Sequence, residues 1–253
     1  MDDEPQLVQS APALAAVSLD ESATVFTCAN VPYSSRMVRR PLRSGNRRRW
    51  VSSPGAEGED GGKFAMGGVI HVCTGNQARS PMAERLMEEG LRHRYGRAAE
   101  SIFVTSGGTQ GPPGRPMQPF AIAELEHRGV PADHFVSQLL DLQAVARAHL
   151  VLTATRQHRD EIVAQVPQAL PFTFTWRELA WLVTGLTPGE VPGRYAVERL
   201  ANLPLVAKQR RGYLQPLPPD LFDIADPMGG TRQDYRVAAD QIEEAVEAVL
   251  RVV

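Results

Sequence analysis

The chain has 253 residues, with 27 basic and 29 acidic side chains and a formal net charge of −2 at neutral pH. This near balance argues against a protein that binds nucleic acid over its whole surface, and the sequence has no apolar run long enough to predict a membrane span. Its two cysteines, Cys28 and Cys73, are too few for a disulfide scaffold or a multi-cysteine zinc site, which favours a reducing, cytoplasmic compartment.

Residues 1–66 differ in composition from the rest of the chain. The first 21 positions contain acidic residues and no base, seven arginines follow between positions 36 and 49, and a glycine-rich acidic stretch comes next. Charge blocks of this kind bury too little apolar surface to fold, so we expect a disordered charged tail. The arginine block could bind nucleic acid or an anionic membrane, but its composition favours a solvated segment. One domain is expected over residues 67–253.

Short β-branched runs alternate with amphipathic stretches from position 67 onwards. Strands are predicted over 69–73, 102–105, 150–152 and 172–174, and helices over 81–93, 117–128, 155–164 and 232–252. Two further helices, over 176–183 and 195–211, fall in a proline-punctuated helical insertion at 176–220. The alternation predicts an α/β fold with an open four-stranded parallel sheet and helices on both faces, of the flavodoxin-like kind.

The segment between the first predicted strand and helix has the composition of an anion site. It reads Cys-Thr-Gly-Asn-Gln-Ala-Arg-Ser from Cys73 to Ser80. Ligands of open parallel sheets bind at the carboxyl ends of the strands, where backbone N–H groups and the positive end of a helix dipole stabilise anions. A thiol placed there is stabilised as a thiolate nucleophile, and Arg79 offers a planar fork to two phosphate oxygens. The residues predicted to surround the anion are Thr74, Gly75, Asn76, Gln77, Ala78 and Ser80.

This segment resembles the phosphate-binding loop of the low-molecular-weight protein tyrosine phosphatases, which reads Cys-x-Gly-Asn-x-Cys-Arg-Ser. A late Asp-Pro pair, Asp226-Pro227, matches a second mark of that family. The resemblance implies that Cys73 attacks phosphorus to form a cysteinyl-phosphate, that Arg79 and the loop N–H groups bind the phosphoryl oxygens, and that Asp226 is the general acid and base. It implies a phosphatase that hydrolyses phosphotyrosine-type phosphomonoesters on proteins, with no cofactor and no metal. Asp223 is the rival acid.

The chain also departs from the family pattern. Ala78 stands where the family usually has its second loop cysteine, so an intraloop disulfide with Cys73 is not possible. Methionine and two glycines, Met228 to Gly230, follow the Asp-Pro pair where many members carry aromatic residues, and Thr153-Ala154 replaces the usual Met-Asp after the third strand. These departures question a strict phosphotyrosine preference and leave phosphoarginine or a small phosphoester open.

Two other functions fit the same loop. An arsenate reductase that uses an external low-molecular-weight thiol needs just one cysteine, although it has no need of Asp226. A non-catalytic phosphate-binding module would share the loop as well. The histidines, His71 among them, lack ligand spacing, and Trp176 and Trp181 are read as helix packing.

Overall fold

The computed structural model describes residues 68–253 of the protein. The predicted tail, residues 1–66, and Cys28 lie outside the described residues. Four strands are present: β1 (Val69–Cys73), β2 (Val104–Gly108), β3 (Leu150–Thr153) and β4 (Thr173–Thr175). Within residues 68–253, no helix has both the length and the apolar character needed to cross a membrane.

Seven α-helices are found among residues 68–253. They are α1 (Arg79–Tyr95), α2 (Pro119–His127), α3 (Leu142–Arg147), α4 (Arg156–Gln165), α5 (Trp176–Leu182), α6 (Ala196–Arg210) and α7 (Arg232–Leu250). Short 3₁₀ helices follow α1 and α4, and two more, Pro188–Glu190 and Pro219–Phe222, flank α6.

The sheet has the strand order β2-β1-β3-β4, and every pairing is parallel. Strand β1 lies at the centre of the sheet, with Val69 opposite Val104 on one side and opposite Leu150 on the other. All five residues of β1 are buried, as expected of a strand with helices on both faces. The predicted fold class is therefore confirmed: the protein is an α/β fold with an open four-stranded parallel sheet.

Two hydrophobic clusters cover the two faces of the sheet. The larger one joins residues of β1, β3 and β4 to α1, α2, α5, α6 and α7. The smaller one contains Ile70, Val72 and Val151 from the opposite face of the sheet and packs them on Val145 of α3 and Ile162 of α4. Because side chains alternate along a strand, residues 69 and 73 face one cluster while residues 70 and 72 face the other.

The structure differs from the predicted elements in three places. Helix α3 is absent from the prediction, because a six-residue helix has too few turns to show a hydrophobic period. Strand β2 is shifted: the prediction covers residues 102–105, whereas the strand spans Val104–Gly108 and pairs with β1. Helix α1 begins two residues early, so Arg79 and Ser80 lie in its first turn and not in the preceding loop.

Candidate active site

A cleft of about 270 Å³ lies at the carboxyl ends of the central strands. The segment from the last residue of β1 to the first turn of α1, called here the nucleophile loop (residues 73–80), contributes Thr74 and Arg79 to its lining. The segment between the Pro219–Phe222 3₁₀ helix and α7, called here the acid loop (residues 223–231), forms one wall. The residues that line the cleft are Thr74, Arg79, Thr109, Gln110, Thr155, Gln157, His158, Glu161, Asp223, Ile224, Ala225 and Asp226.

Backbone N–H groups of neighbouring segments donate to the carbonyl groups of the nucleophile loop. The carbonyls of Cys73, Thr74 and Gln77 accept hydrogen bonds of 2.8 to 2.9 Å from the backbone N–H groups of Thr109, Gln110 and Gln118, respectively. No backbone carbonyl of residues 68–253 accepts from the N–H groups of residues 74–78. Unpaired backbone donors at the start of a long helix are available to an anion, so the arrangement is compatible with the predicted anion site.

A polar chain leads from Asn76 to the sulfur of Cys73. The side-chain N–H₂ group of Asn76 donates to Oγ of Ser80 at 2.9 Å, and Oγ of Ser80 lies 3.0 Å from Sγ of Cys73. Because Ser80 already accepts from Asn76, its own proton is available to the sulfur. This donor stabilises negative charge on the sulfur, which is the state a nucleophile needs.

The orientation of Asn76 is fixed by two further contacts, and the residue itself has a left-handed backbone with φ 52°. Its second amide proton goes to Oγ of Ser106 at 2.7 Å, and Ser106 donates to Oε2 of Glu84 at 2.5 Å. Its side-chain oxygen accepts from the backbone N–H of Gln138 at 2.9 Å. Asn76 is fully buried, so this set of hydrogen bonds leaves its amide one orientation.

Arg79 is 3% exposed and reaches across the cleft to the acid loop. Its Nη1 donates to the carbonyl of Ile224 at 2.9 Å, and its Nη2 donates to Oδ2 of Asp226 at 2.5 Å and to Oγ1 of Thr74 at 3.3 Å. Its Nε is buried and finds no acceptor among residues 68–253. A buried donor without a partner is costly, and a phosphoryl oxygen in the cleft would satisfy it.

The two candidate acids have different environments. Asp223 accepts from the backbone N–H of Arg156 at 2.7 Å and from Nη2 of the same arginine at 2.8 Å. Burial acts to raise the pKa of Asp223, but the hydrogen bonds from Arg156 outweigh it and lower that pKa. Asp226 has a half-exposed side chain that contacts Arg79 and accepts from the backbone N–H of Met228 at 3.2 Å. Asp223 is therefore engaged on both carboxylate oxygens by Arg156, whereas the half-exposed carboxylate of Asp226 lies against Arg79 in the cleft.

Two further contacts position the acid loop. The N–H of Ile224 donates to the carbonyl of Ala154 at 2.9 Å, which ties the loop to the end of β3. The ring of Phe222, just before the loop, packs on Trp181 of α5 with the ring centroids 5.5 Å apart. Trp181 thus contributes to packing, as predicted, and the packing supports the segment that carries Asp226.

The other predicted loop residues play different parts. The Gln77 side chain accepts from Nε2 of Gln118 at 3.0 Å, so the amide is engaged by the neighbouring loop. Ala78 is buried in the larger hydrophobic cluster. At Gly75 an added Cβ would meet nothing closer than 3.7 Å, whereas at Gly108 it would lie 2.6 Å from the carbonyl oxygen of Thr74. The close approach that requires glycine is therefore at Gly108, the last residue of β2.

His158 is a site residue that sequence reasoning missed. It lies in the first turn of α4, is 6% exposed, and its Nε2 is 2.9 Å from Oγ1 of Thr74. A signal was present in Thr155, an N-cap residue three positions earlier, because that spacing sets the histidine in the first turn at the carboxyl end of β3. Residues 68–253 contain no group of three or more His, Cys, Asp or Glu side chains able to hold a metal ion.

A family model and the similar curated proteins all point to phosphatases. The family model described as low molecular weight phosphotyrosine protein phosphatase matches residues 68–172. The protein-arginine-phosphatase of Geobacillus stearothermophilus is 30% identical over 179 residues, which cover 71% of this chain and 90% of that protein. The low molecular weight protein-tyrosine phosphatase A of Mycobacterium tuberculosis is 40% identical over 72 residues, 28% of this chain and 43% of that protein.

Solved structures agree. The arginine phosphatase structure from Geobacillus stearothermophilus matches with a TM-score of 0.50 and 29% identity, over 72% of this chain and 89% of that chain. A low molecular weight protein tyrosine phosphatase from T. tengcongensis, at 22% identity and a TM-score of 0.51, covers 74% of this chain and 99% of that chain and shows the same fold. This chain is therefore a phosphatase that belongs to the low molecular weight phosphotyrosine protein phosphatase family.

Proposed function

We propose that the protein removes phosphoryl groups from phosphorylated protein side chains through a cysteinyl-phosphate on Cys73. The observation that carries this proposal is the contact between the two loops: Nη2 of Arg79 lies 2.5 Å from Oδ2 of Asp226, 147 positions later. A module that merely binds phosphate, or an arsenate reductase, has no use for a carboxylate at that position. A hydrolase needs an acid beside the phosphate-binding arginine.

In the first step, Sγ of Cys73 attacks phosphorus while the bond from phosphorus to the leaving atom breaks. The leaving oxygen or nitrogen keeps the electron pair and takes a proton from Asp226. The phosphoryl oxygens are held by Nε and Nη2 of Arg79 and by the N–H groups of residues 74–78, and Ser80 donates to the sulfur. Most of the rate enhancement then comes from positioning and from charge stabilisation by preorganised donors.

In the second step, water attacks phosphorus and Asp226 removes its proton. The bond between phosphorus and sulfur breaks, the thiolate of Cys73 returns, and inorganic phosphate leaves. Asp226 must leave Arg79 before the first step, because the carboxylate and a phosphoryl oxygen compete for the same Nη2 donor.

Phosphoarginine is the substrate that the cleft favours. Its lining includes three carboxylates, Glu161, Asp223 and Asp226, and no phenylalanine, tyrosine or tryptophan. A guanidinium is attracted by carboxylates, whereas a phenyl ring needs apolar or aromatic walls. The relative from Geobacillus stearothermophilus that matches over most of its length is named a protein-arginine-phosphatase, which supports the same substrate.

Phosphotyrosine is the second candidate, and a specific contact favours it. Phe120 is 42% exposed and packs edge-on against Tyr235, with the ring centroids 5.5 Å apart. Tyr235 lies in α7, which follows the acid loop, and burial first, and then the charge of Asp226, raise its pKa. Neither ring lines the cleft itself, so the pair would contact only a phenyl group that extends beyond the cleft.

The mechanism is tested by hydrolysis of an aryl phosphate with the wild type, Cys73→Ser and Asp223→Asn. Cys73→Ser should have no measurable turnover, and Asp223→Asn should keep most of it because an amide oxygen still accepts from Arg156. Acid quenching of the wild type during turnover should trap one phosphoryl group on the peptide that contains Cys73, as seen by mass spectrometry. Full activity of Cys73→Ser would overturn the proposal.

The substrate is tested with two peptides of one sequence that carry phosphoarginine or phosphotyrosine at the same position. We expect kcat/KM for phosphoarginine to exceed that for phosphotyrosine by about tenfold or more, a preference within the reach of one charged contact. The opposite ratio would assign the second candidate. Arsenate with a thiol reductant is included in the same assay, and its reduction at a comparable rate would favour the reductase.

A further inference from the structure

His158 joins the nucleophile loop to the N-terminus of α4. Its Nε2 lies 2.9 Å from Oγ1 of Thr74, and its Nδ1 lies 2.6 Å from Oγ1 of Thr155. Both ring nitrogens are therefore engaged by threonine hydroxyls, and the ring is buried. Thr74 lies 84 positions earlier in the chain, so the imidazole forms a tertiary link and not a local cap.

The proton count shows what Thr74 does for Arg79. An arginine can only donate, so Oγ1 of Thr74 is the acceptor for Nη2 of Arg79 at 3.3 Å. The hydroxyl either gives its own proton to Nε2 of His158 or accepts a second one from it. In both arrangements the imidazole limits how far Oγ1 of Thr74 can turn away from Arg79.

The imidazole is neutral at ordinary pH. Burial first, and then the positive charge of Arg79, lower the pKa of His158 below its usual value of 6.5. Glu161, Asp226 and Asp223 act in the opposite direction but do not reverse this shift. A neutral ring next to a buried arginine is what a positioning partner requires, since a second positive charge would repel the guanidinium.

Arg79 has more than one restraint in the structure, and one of them is temporary. Its Nη2 is shared between Asp226 and Thr74, and the carboxylate must withdraw when a phosphoryl group binds. Thr74 is then the side chain left on Nη2, while the carbonyl of Ile224 holds Nη1. The hydroxyl of Thr74 therefore orients Nη2 of Arg79 during the reaction.

We propose that His158 is a positioning residue that acts through Thr74: it keeps the hydroxyl of Thr74 on Nη2 of Arg79, so that the guanidinium keeps its orientation when substrate displaces Asp226. This inference rests on the proposed function for its catalytic consequence. It also predicts an effect on the binding of inorganic phosphate, because an arginine fork binds phosphate in its set orientation whichever chemistry follows.

The capping of α4 does not need the imidazole. Oγ1 of Thr155 accepts the backbone N–H of residue 158, and any residue at that position supplies this N–H. What the side chain of His158 adds is the reach of Nε2 to Thr74. Glutamine is the conservative replacement, because its amide nitrogen sits at a similar distance from the backbone as Nε2 of histidine and is able to donate to Thr74.

The test compares His158→Leu, His158→Gln, Thr74→Val and the His158→Leu/Thr74→Val double variant. Each is measured for kcat on an aryl phosphate, for the dissociation constant of inorganic phosphate by calorimetry, and for Tm. His158→Leu and Thr74→Val should each lose about tenfold in kcat and about threefold or more in phosphate affinity, as expected for one hydrogen bond to a charged group. His158→Gln should recover most of both losses.

The double variant should be no worse than either single one, since both changes remove the same link. Ile162→Val is the matched control. Ile162 is buried one turn further along α4 and belongs to the smaller hydrophobic cluster. Its replacement by valine should lower Tm and leave the affinity for phosphate unchanged. Multiplied losses in the double variant, or phosphate affinity in His158→Leu equal to that of the wild type, would refute the proposal. If the variants lose phosphate affinity as expected but the wild type hydrolyses no substrate, the proposed function is wrong and this inference still stands.

Discussion

The guanidinium of Arg79 and the carboxylate of Asp226 form an ion pair at 2.5 Å, and one of its partners is buried while the other is half exposed. In this arrangement Asp226, the proposed general acid, occupies a donor that phosphate would use. Nη2 of Arg79 is therefore satisfied by a carboxylate until a substrate arrives, whereas its Nε has no acceptor among residues 68–253. Because one donor serves two acceptors in turn, the affinity for phosphate includes the cost of displacing Asp226.

Asp226→Ala should accordingly change two measured quantities in opposite directions. Turnover of an aryl phosphate should fall about 10² to 10³-fold, because the leaving group loses its proton donor. The inhibition constant of inorganic phosphate should decrease by about threefold to tenfold, because Nη2 of Arg79 is released and a negative charge is removed. Weaker phosphate inhibition together with slower turnover would show that Asp226 helps to bind the anion and does not compete with it.

The sequence predicted the nucleophile loop well, because its strand, its residues and its helix are adjacent in the chain. It also predicted that a late Asp-Pro pair belongs to the site. It named Asp226 as the acid and Asp223 as its rival, but it gave no physical reason that separates the two, since the partner that engages Asp223 is Arg156, whose role is visible only after β3 and the acid loop come together. His158 was missed for the same reason: its partner, Thr74, is distant in sequence.

The ion pair between Arg156 and Asp223 should act on catalysis through the position of the acid loop. Arg156→Ala and Asp223→Ala should each reduce kcat by about threefold to tenfold, with little change in the pH profile, because the group that transfers the proton is still present. The two losses should not multiply in the double variant, since each change breaks the same anchor. A double variant slower by the product of the single effects would contradict this account.

Glu161 should contribute to the choice of substrate. It lines the cleft from the second turn of α4, and its carboxylate has Gln157 as a neutral partner. Glu161→Gln should lower kcat/KM for a phosphoarginine peptide by about fivefold and leave kcat/KM for a phosphotyrosine peptide unchanged. The reason is that the leaving group of phosphoarginine is cationic, whereas the leaving group of phosphotyrosine is not. Asp160→Asn is the control, because Asp160 is exposed and pairs with Arg159. Equal losses on both peptides after Glu161→Gln would exclude a role in specificity.

The response to oxidants should follow from Ala78. Cys73 is the one cysteine among residues 68–253, and the loop offers no second thiol to capture a sulfenic acid. Peroxide should therefore inactivate the enzyme by oxidising Cys73, and prolonged exposure should produce sulfinic and sulfonic acids that dithiothreitol does not reverse. Peptide mass spectrometry checks this directly. A cross-link between Cys73 and another residue of its own loop would contradict it.

Stability should depend on pH through His71, which lies at the centre of the sheet. Its Nδ1 accepts from Nε1 of Trp176 at 2.9 Å, and burial lowers its pKa to about 3. The unfolded chain binds a proton at this histidine below about pH 6.5 and the folded protein does not, so the contribution of His71 is fully present above that pH. It should decline by about 1.4 kcal/mol for each pH unit between 6 and 3.

Urea unfolding of the wild type and of His71→Asn at a series of pH values measures this contribution. The side-chain oxygen of asparagine sits at a similar distance from the backbone as Nδ1 of histidine, so it can still accept from Trp176, but it does not titrate, and the variant should show a shallower fall in the free energy of unfolding as the pH decreases. Carboxylates such as Asp223, whose pKa is lowered in the fold, give both proteins a common acid dependence below about pH 4. The difference between the two curves therefore isolates His71, and parallel curves from pH 6.5 to 4 would mean that the histidine is protonated in the folded protein.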